Sequence, residues 1–282
     1  MPLPGFIFYD GDLLPASGVS LSPANRSFRY GDGFFETIRM VNGQIPLWEL
    51  HGNRLFRSLQ KMHFQQPDHL TKKYFFEAIT AVAGKNGHSA CARVRISFFR
   101  GDGGLMEMND HFPHHIVQTW PLDPAYIQLN RKGLHIGLFT GAKKGCDDYS
   151  SIKHNNCLPY VMAALHAQQQ GWDDALVLNP HHRIAEATIA NVFIVKKGVV
   201  HTPSLEEGCV DGVMRRYMLE QFDIHNVSFS EKALSVTDME EADEIFLTNA
   251  LYGMRWVERL GEKVYGKGMA SLLYDKIVAG VG

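Results

Sequence analysis

No pair of cysteines in this sequence has the spacing of a metal knuckle or a redox motif. Cys91, Cys146, Cys157 and Cys209 are scattered, without a C-x-x-C unit, so neither a zinc site nor a disulfide framework is indicated and a reducing cytoplasm suits them. Long apolar runs are also missing. No segment approaches the ~20 apolar residues that span a bilayer, and the opening Met1-Pro2-Leu3-Pro4-Gly5 has no basic leader, so no membrane association is expected. Charge of one sign is scarce: 28 Lys and Arg stand against 30 Asp and Glu, a formal net charge of −2. That balance gives no strong field for nucleic acid or another polyanion. There is no internal repeat, no low-complexity tract and no H-E-x-x-H, and His111, His114, His115, His181 and His182 read as loop histidines, leaving no metal site. Arg100-Gly101-Asp102-Gly103-Gly104 lacks the terminal Gly-Lys-Ser/Thr of a phosphate-binding P-loop.

What remains is a chain of 282 residues, 45% hydrophobic and 21% charged, long enough for two domains of ordinary size. Two prolines in Thr119-Trp120-Pro121-Leu122-Asp123-Pro124 break the periodicity and suggest a connector. The expected layout is a smaller N-terminal α/β domain over 1–118, a connector over 119–125 and a larger domain over 126–282. Asn42-Gly43 predicts a hairpin joining Ile38–Val41 to Ile45–Leu47. Apolar spacing predicts helices over Trp48–Met62, Leu70–Ala83, Asn156–Gln170 and Gly212–Phe222. Strands are expected over Ala92–Arg100, Ile116–Gln118, His135–Leu138, Ala175–Leu178, Val192–Val195 and Val199–His201, and near Glu244–Leu247. Thr237 and Glu240 have the spacing of a capping box at a further helix start.

Two motifs carry chemistry. Ser151-Ile152-Lys153-His154-Asn155-Asn156 contains a lysine, and Ala185-Glu186-Ala187-Thr188-Ile189-Ala190-Asn191-Val192-Phe193 contains a carboxylate 33 positions later. A lysine that joins an aldehyde must shed its proton near neutral pH, and a carboxylate facing a pyridine nitrogen keeps that ring protonated and electron-withdrawing. The pair suits pyridoxal 5'-phosphate. Before Val213-Met214 a turn presents backbone amides at a helix start, a natural anion site.

These motifs, with Arg29–Arg39 (RYGDGFFETIR), His51-Gly52-Asn53-Arg54-Leu55, Gly212-Val213-Met214-Arg215 and Leu247-Thr248-Asn249-Ala250-Leu251, occur in an order that resembles the class IV aminotransferases, or PLP fold type IV. The resemblance covers nearly the whole chain. It implies an α+β fold of the D-amino-acid aminotransferase type in two domains, a homodimer and a small-molecule amino substrate, while the scattered cysteines and the missing leader and apolar span give the expectation of a cytoplasmic location. It also implies that Lys153 is the Schiff-base lysine and proton carrier, that Glu186 is the partner of the ring nitrogen, and that Arg54 grips the cofactor phosphate. Val213, Met214, Asn249 and Ala250 are implied to line the phosphate. Met214 and Ala250 stand where many aminotransferases of this fold have hydroxyl residues, which shifts phosphate contact to the backbone. Tyr30, Phe35 and Arg100 are candidate substrate contacts, Arg100 being weighed against an exposed strand end.

Within the family, Ile152–Asn156, Gly212–Arg215 and Asn249–Leu251 look most like 4-amino-4-deoxychorismate lyase, which releases 4-aminobenzoate and pyruvate. Leu105 stands where D-amino-acid enzymes have a second arginine for the substrate carboxylate. Glu36 is more typical of aminotransferases. An amino acid transaminase of branched-chain or D-amino-acid type is the alternative activity, and a noncatalytic PLP-binding homologue the alternative of another class.

Overall fold

The computed structural model describes residues 5–281, so the Met1-Pro2-Leu3-Pro4 opening lies outside the described residues. The chain divides into two compact units. One runs to Pro124 and takes in Lys153–Asn156; the other comprises Ala125–Ile152 and the chain from Cys157 onward. Among the described residues no helix is long and apolar enough to cross a membrane.

The first unit contains β1 (Phe6–Tyr9), β2 (Asp12–Pro15), α1 (Arg26–Tyr30), β3 (Gly33–Val41), α2 (Trp48–Lys61), α3 (Lys72–Asn86), β4 (Cys91–Phe99) and β5 (His114–Pro121). Its sheet has the order β2-β1-β5-β4-β3. In β3 the residues Phe34, Glu36, Ile38 and Met40 are buried, the period-two pattern of a strand with one covered face. Phe34 stacks on Phe98 at 4.7 Å between centroids, and Phe75 of α3 meets Phe98 edge-on at 5.3 Å. These rings form the centre of the unit.

The expected hairpin stops short. Asn42 and Gly43 do turn with positive φ, but only Val41 and Gln44 bridge. Pro46 has no amide to donate, and α2 begins two residues later. β3 instead pairs along its whole length with β4, from Gly33 opposite Phe99 to Val41 opposite Cys91. His114 and His115 are strand residues rather than loop residues, because β5 starts at His114. Thr119–Pro121, expected in a connector, also belong to β5.

The second unit contains β6 (Leu134–Lys143), α4 (Leu158–Gln170), β7 (Asp174–Leu178), β8 (Ile184–Ala187), β9 (Asn191–Lys196), β10 (Val199–Thr202), α5 (Val213–Ile224), β11 (Phe229–Glu231), α6 (Val236–Glu241), β12 (Glu244–Asn249), β13 (Gly253–Leu260), β14 (Lys263–Val264) and α7 (Gly268–Leu273). The sheet runs β11-β10-β9-β12-β13-β6-β7-β8, with β14 added to β13. Every residue of β7 and β8 is buried, and Leu176, Ile184, Val192, Ile194, Ile245 and Leu247 join one apolar core. The capping box of α6 lies two residues before the expected one: Ser235 Oγ accepts from the Asp238 amide while Asp238 accepts from the Ser235 amide. Ser235-x-x-Asp238 has the same spacing and is the pair at the helix start.

Candidate active site

The lysine motif is held by main-chain bonds of the first unit. Phe35 N donates to Lys153 O at 3.0 Å and Asn155 N to Gly33 O at 2.9 Å, with His154 bridged to Phe34. Gly33 is required there, since a Cβ would collide with Phe98 O and come within 2.7 Å of Asn155 Nδ2. The Lys153 ammonium lies 4.7 Å from the centre of the Phe35 ring, whose centre is also 3.7 Å from the Arg95 guanidinium carbon. A cation over an aromatic face is held electrostatically.

Glu36 follows Phe35 and points to the opposite side of the strand, toward α2. There the H-x-x-R spacing has a physical meaning. Residues three apart share a helix face, and both His51 and Arg54 reach Glu36: His51 Nδ1 at 3.0 Å, Arg54 Nε at 2.7 Å and Arg54 Nη2 at 2.6 Å. Burial alone would push the Glu36 carboxyl up, but the Arg54 charge and the bonds from His51 and Arg54 hold it down to about 2. Burial pulls His51 below the ordinary imidazole range.

Arg100 is no exposed strand end. It is 4% exposed, pairs with Asp32, donates to Met62 O and lies 4.1 Å over the Phe64 ring. Asp32 is shared with Arg26 at 2.8 Å. Tyr30, the last residue of α1, is half-buried under the guanidinium of Arg29 at 5.0 Å. Leu105 is 63% exposed.

In the second unit Glu186 is buried on β8. Its carboxylate receives the Tyr160 hydroxyl at 2.6 Å, the Val210 amide at 3.1 Å to each oxygen, and Asn191 Nδ2 at 3.3 Å. The E-x-x-x-x-N spacing is thus a tight turn: Ala187 N donates to Ala190 O at 2.8 Å, bringing Asn191 back beside Glu186. Asn191 Nδ2 also donates to Val210 O at 2.8 Å. A Cβ on Gly212 would collide with Asn191 Oδ1. Carboxylate, asparagine and the start of α5 therefore form one assembly.

Gly212 is the N-cap of α5 and offers no side-chain cap, so the first amides of this 12-residue helix, at Val213 and Met214, suit a phosphate. After β12, Asn249 Oδ1 accepts from the Leu251 and Tyr252 amides at 3.0 and 3.1 Å and so shapes the turn containing Ala250. The two walls approach each other, because a Cβ on Gly253 would stand 3.5 Å from Met214 Cε. Thr248 Oγ1, beside Asn249, is buried without a hydrogen-bond partner among the described residues. A buried carboxylate for a protonated ring and an uncapped helix start for a phosphate, fixed to each other through Asn191, are a donor set that fits pyridoxal phosphate. Tyr160 and Lys144, both near Glu186, carry no sequence signal that would have singled them out. Asn191 did stand in the motif.

Residues 33–260 match the model of the family described as amino-transferase class IV. The chain belongs to that family. Its members are pyridoxal phosphate-dependent enzymes, and this chain is an enzyme of lyase or aminotransferase type. It is 30% identical over 241 residues to the aminodeoxychorismate lyase of Vibrio harveyi, covering 86% of this chain and 87% of that one. It is 26% identical over 282 residues to the branched-chain-amino-acid aminotransferase of Pseudomonas aeruginosa, covering 97% and 90%. Among solved structures, the branched-chain amino acid aminotransferase from Escherichia coli superposes with a TM-score of 0.85 at 20% identity, covering 99% of this chain and 94% of that one. That likeness establishes the two-domain α+β fold of the class.

Proposed function

We propose that this enzyme is a 4-amino-4-deoxychorismate lyase that releases 4-aminobenzoate, a folate precursor, and pyruvate. The observation that carries the reading is the pair of hydroxyl-free walls at Met214 and Ala250, both within the wording that resembles the lyase. There the anion contact is proposed to fall to main-chain amides, at the start of α5, where no side chain caps the helix, and at Ala250 in the turn that Asn249 shapes through the Leu251 and Tyr252 amides. The Vibrio harveyi relative supports the same reading.

Pyridoxal phosphate, when bound, supplies a carbonyl that joins the substrate amine and a protonated ring that withdraws electrons from the reacting bonds. Lys153 is proposed to hold the cofactor by Nζ and, once displaced by the substrate amine, to take a proton from the substrate carbon. It returns that proton to the departing three-carbon group, which leaves as pyruvate while the six-membered ring becomes aromatic. Aromatisation provides much of the driving force, so orientation and proton transfer are the main protein contributions. Glu186 is proposed to face the ring nitrogen, with Arg54 and the Val213, Met214, Asn249 and Ala250 backbone on the phosphate. Tyr30 and Phe35 are proposed substrate contacts. Arg100, whose terminal nitrogens are engaged by Asp32 and Met62, is proposed to add its charge. The working form is proposed to be a cytoplasmic homodimer, which sedimentation velocity would detect as twice the 31.7 kDa chain mass.

A second reading is amino-group transfer from an amino acid to a 2-oxo acid, favoured by the Pseudomonas aeruginosa relative, which matches a larger share of the chain. The deciding experiment gives the cofactor-loaded enzyme 4-amino-4-deoxychorismate without any 2-oxo acid, with Lys153→Ala as control. Lysine-dependent 4-aminobenzoate and pyruvate are expected. No product from loaded enzyme would transfer the assignment to transamination, and failure of an amino-donor screen as well would leave a noncatalytic homologue.

A further inference from the structure

Tyr160 has no role in the assignment above, yet it makes a short bond to Glu186. It lies in the first turn of α4 and donates its hydroxyl to Glu186 Oε1 at 2.6 Å. Burial, followed by the Glu186 charge, holds the phenol well above its ordinary range, so it stays a donor throughout neutral pH. A donor fixed on a carboxylate oxygen favours the ionised form.

On the Tyr160 ring sits a buried cation. Lys144 is 3% exposed, and its Nζ is 5.9 Å from the ring centre and 2.7 Å from Ser150 O, to which it donates. Burial pulls it below the ordinary lysine range, and the largest opposing influence is the charge of Glu186. An ammonium is costly to bury unless a nearby negative charge compensates it. Lys144, Tyr160 and Glu186 therefore form a line of cation, ring and hydroxyl, and carboxylate inside one unit.

We propose that Tyr160, seated on Lys144, is the positioning residue that fixes the Glu186 carboxylate ionised and aimed at the ring nitrogen of the cofactor. The inference rests on the assignment of Glu186 above. Val210 and Asn191 come from the loop before α5 and the start of β9, whereas Tyr160 ties the carboxylate to α4. Removing its hydroxyl takes that tie away while the ring remains packed against the apolar cluster of Phe139, Ala163, Ala167, Ala175 and Val177.

The test compares the binding of two ligands, pyridoxal phosphate and an analogue with CH in place of the ring nitrogen, by equilibrium dialysis. The unsubstituted enzyme is expected to prefer pyridoxal phosphate. Tyr160→Phe should shrink that preference by about tenfold, the loss expected for one hydrogen bond to a charged group, and leave the analogue's affinity unchanged. Lys144→Met should shrink it in the same direction. Equal weakening of both ligands, or an unchanged preference in both variants, would overturn the proposal. Absence of any preference in the unsubstituted enzyme would overturn the Glu186 assignment itself, and that failure is recognisable because no substitution is involved.

Discussion

Glu36 takes the Arg54 guanidinium with both carboxylate oxygens, at 2.7 and 2.6 Å, while His51 approaches one of them at 3.0 Å. All three side chains are buried. The paired geometry leaves the guanidinium little freedom, so the arginine proposed for the phosphate is already oriented by a carboxylate that looked, in sequence, like a mark of the aminotransferases.

Glu36→Gln strands the Arg54 charge. Breaking a buried pair by removing one partner typically costs about 3–5 kcal/mol, and a denaturant titration at pH 7 should show a loss of that order, with weaker cofactor retention. A variant as stable as the parent would refute the structural role. The sign with pH follows from the depressed folded value of about 2. The contribution is complete above the ordinary value of 4.5 and is lost as pH falls toward 2, so the parent should lose stability in that window more steeply than the variant.

His114 gives the opposite sign. Its ring is bonded to Asp10 at 2.5 Å and Asp110 at 2.8 Å, and the Asp10 bond is the chief cause of a value raised to about 9 against partial desolvation. A raised histidine contributes fully below the ordinary value of 6.5 and loses that contribution as pH rises through about 9. His114→Asn should be less stable at about pH 6 and flatter from there to about pH 9. Parallel curves for the two proteins would remove His114 from the account.

Gly212→Ala places a methyl against Asn191 Oδ1. Asn191 must move, and with it the bonds to Glu186 and Val210. Crowding of this kind costs about 1–3 kcal/mol, measurable by thermal melting, and cofactor affinity should fall in the same variant. Unchanged affinity would mean that the α5 start and Glu186 are not coupled through Asn191.

The sequence by itself determined the family, its cofactor and most of the local structure. Lys153, Glu186 and the start of α5 stood out as candidates because each lies in a motif, and two of the spacings encode a local shape: a tight turn between Glu186 and Asn191, and one helix face for His51 and Arg54. Tertiary structure alone decided which distant groups meet. Arg100, 68 residues from Asp32 in the chain, could be read as exposed until the fold buried it. His114 stands 104 residues from Asp10, and Tyr160 stands 26 from Glu186. β3 paired with β4 rather than with the segment after Asn42-Gly43 because a full nine-residue ladder satisfies many more main-chain donors and acceptors than a single bridge before a proline can. Local spacing records the angle between neighbouring side chains, but the partner of a buried charge is set by the packing of the whole unit, where an uncompensated charge is too costly to keep.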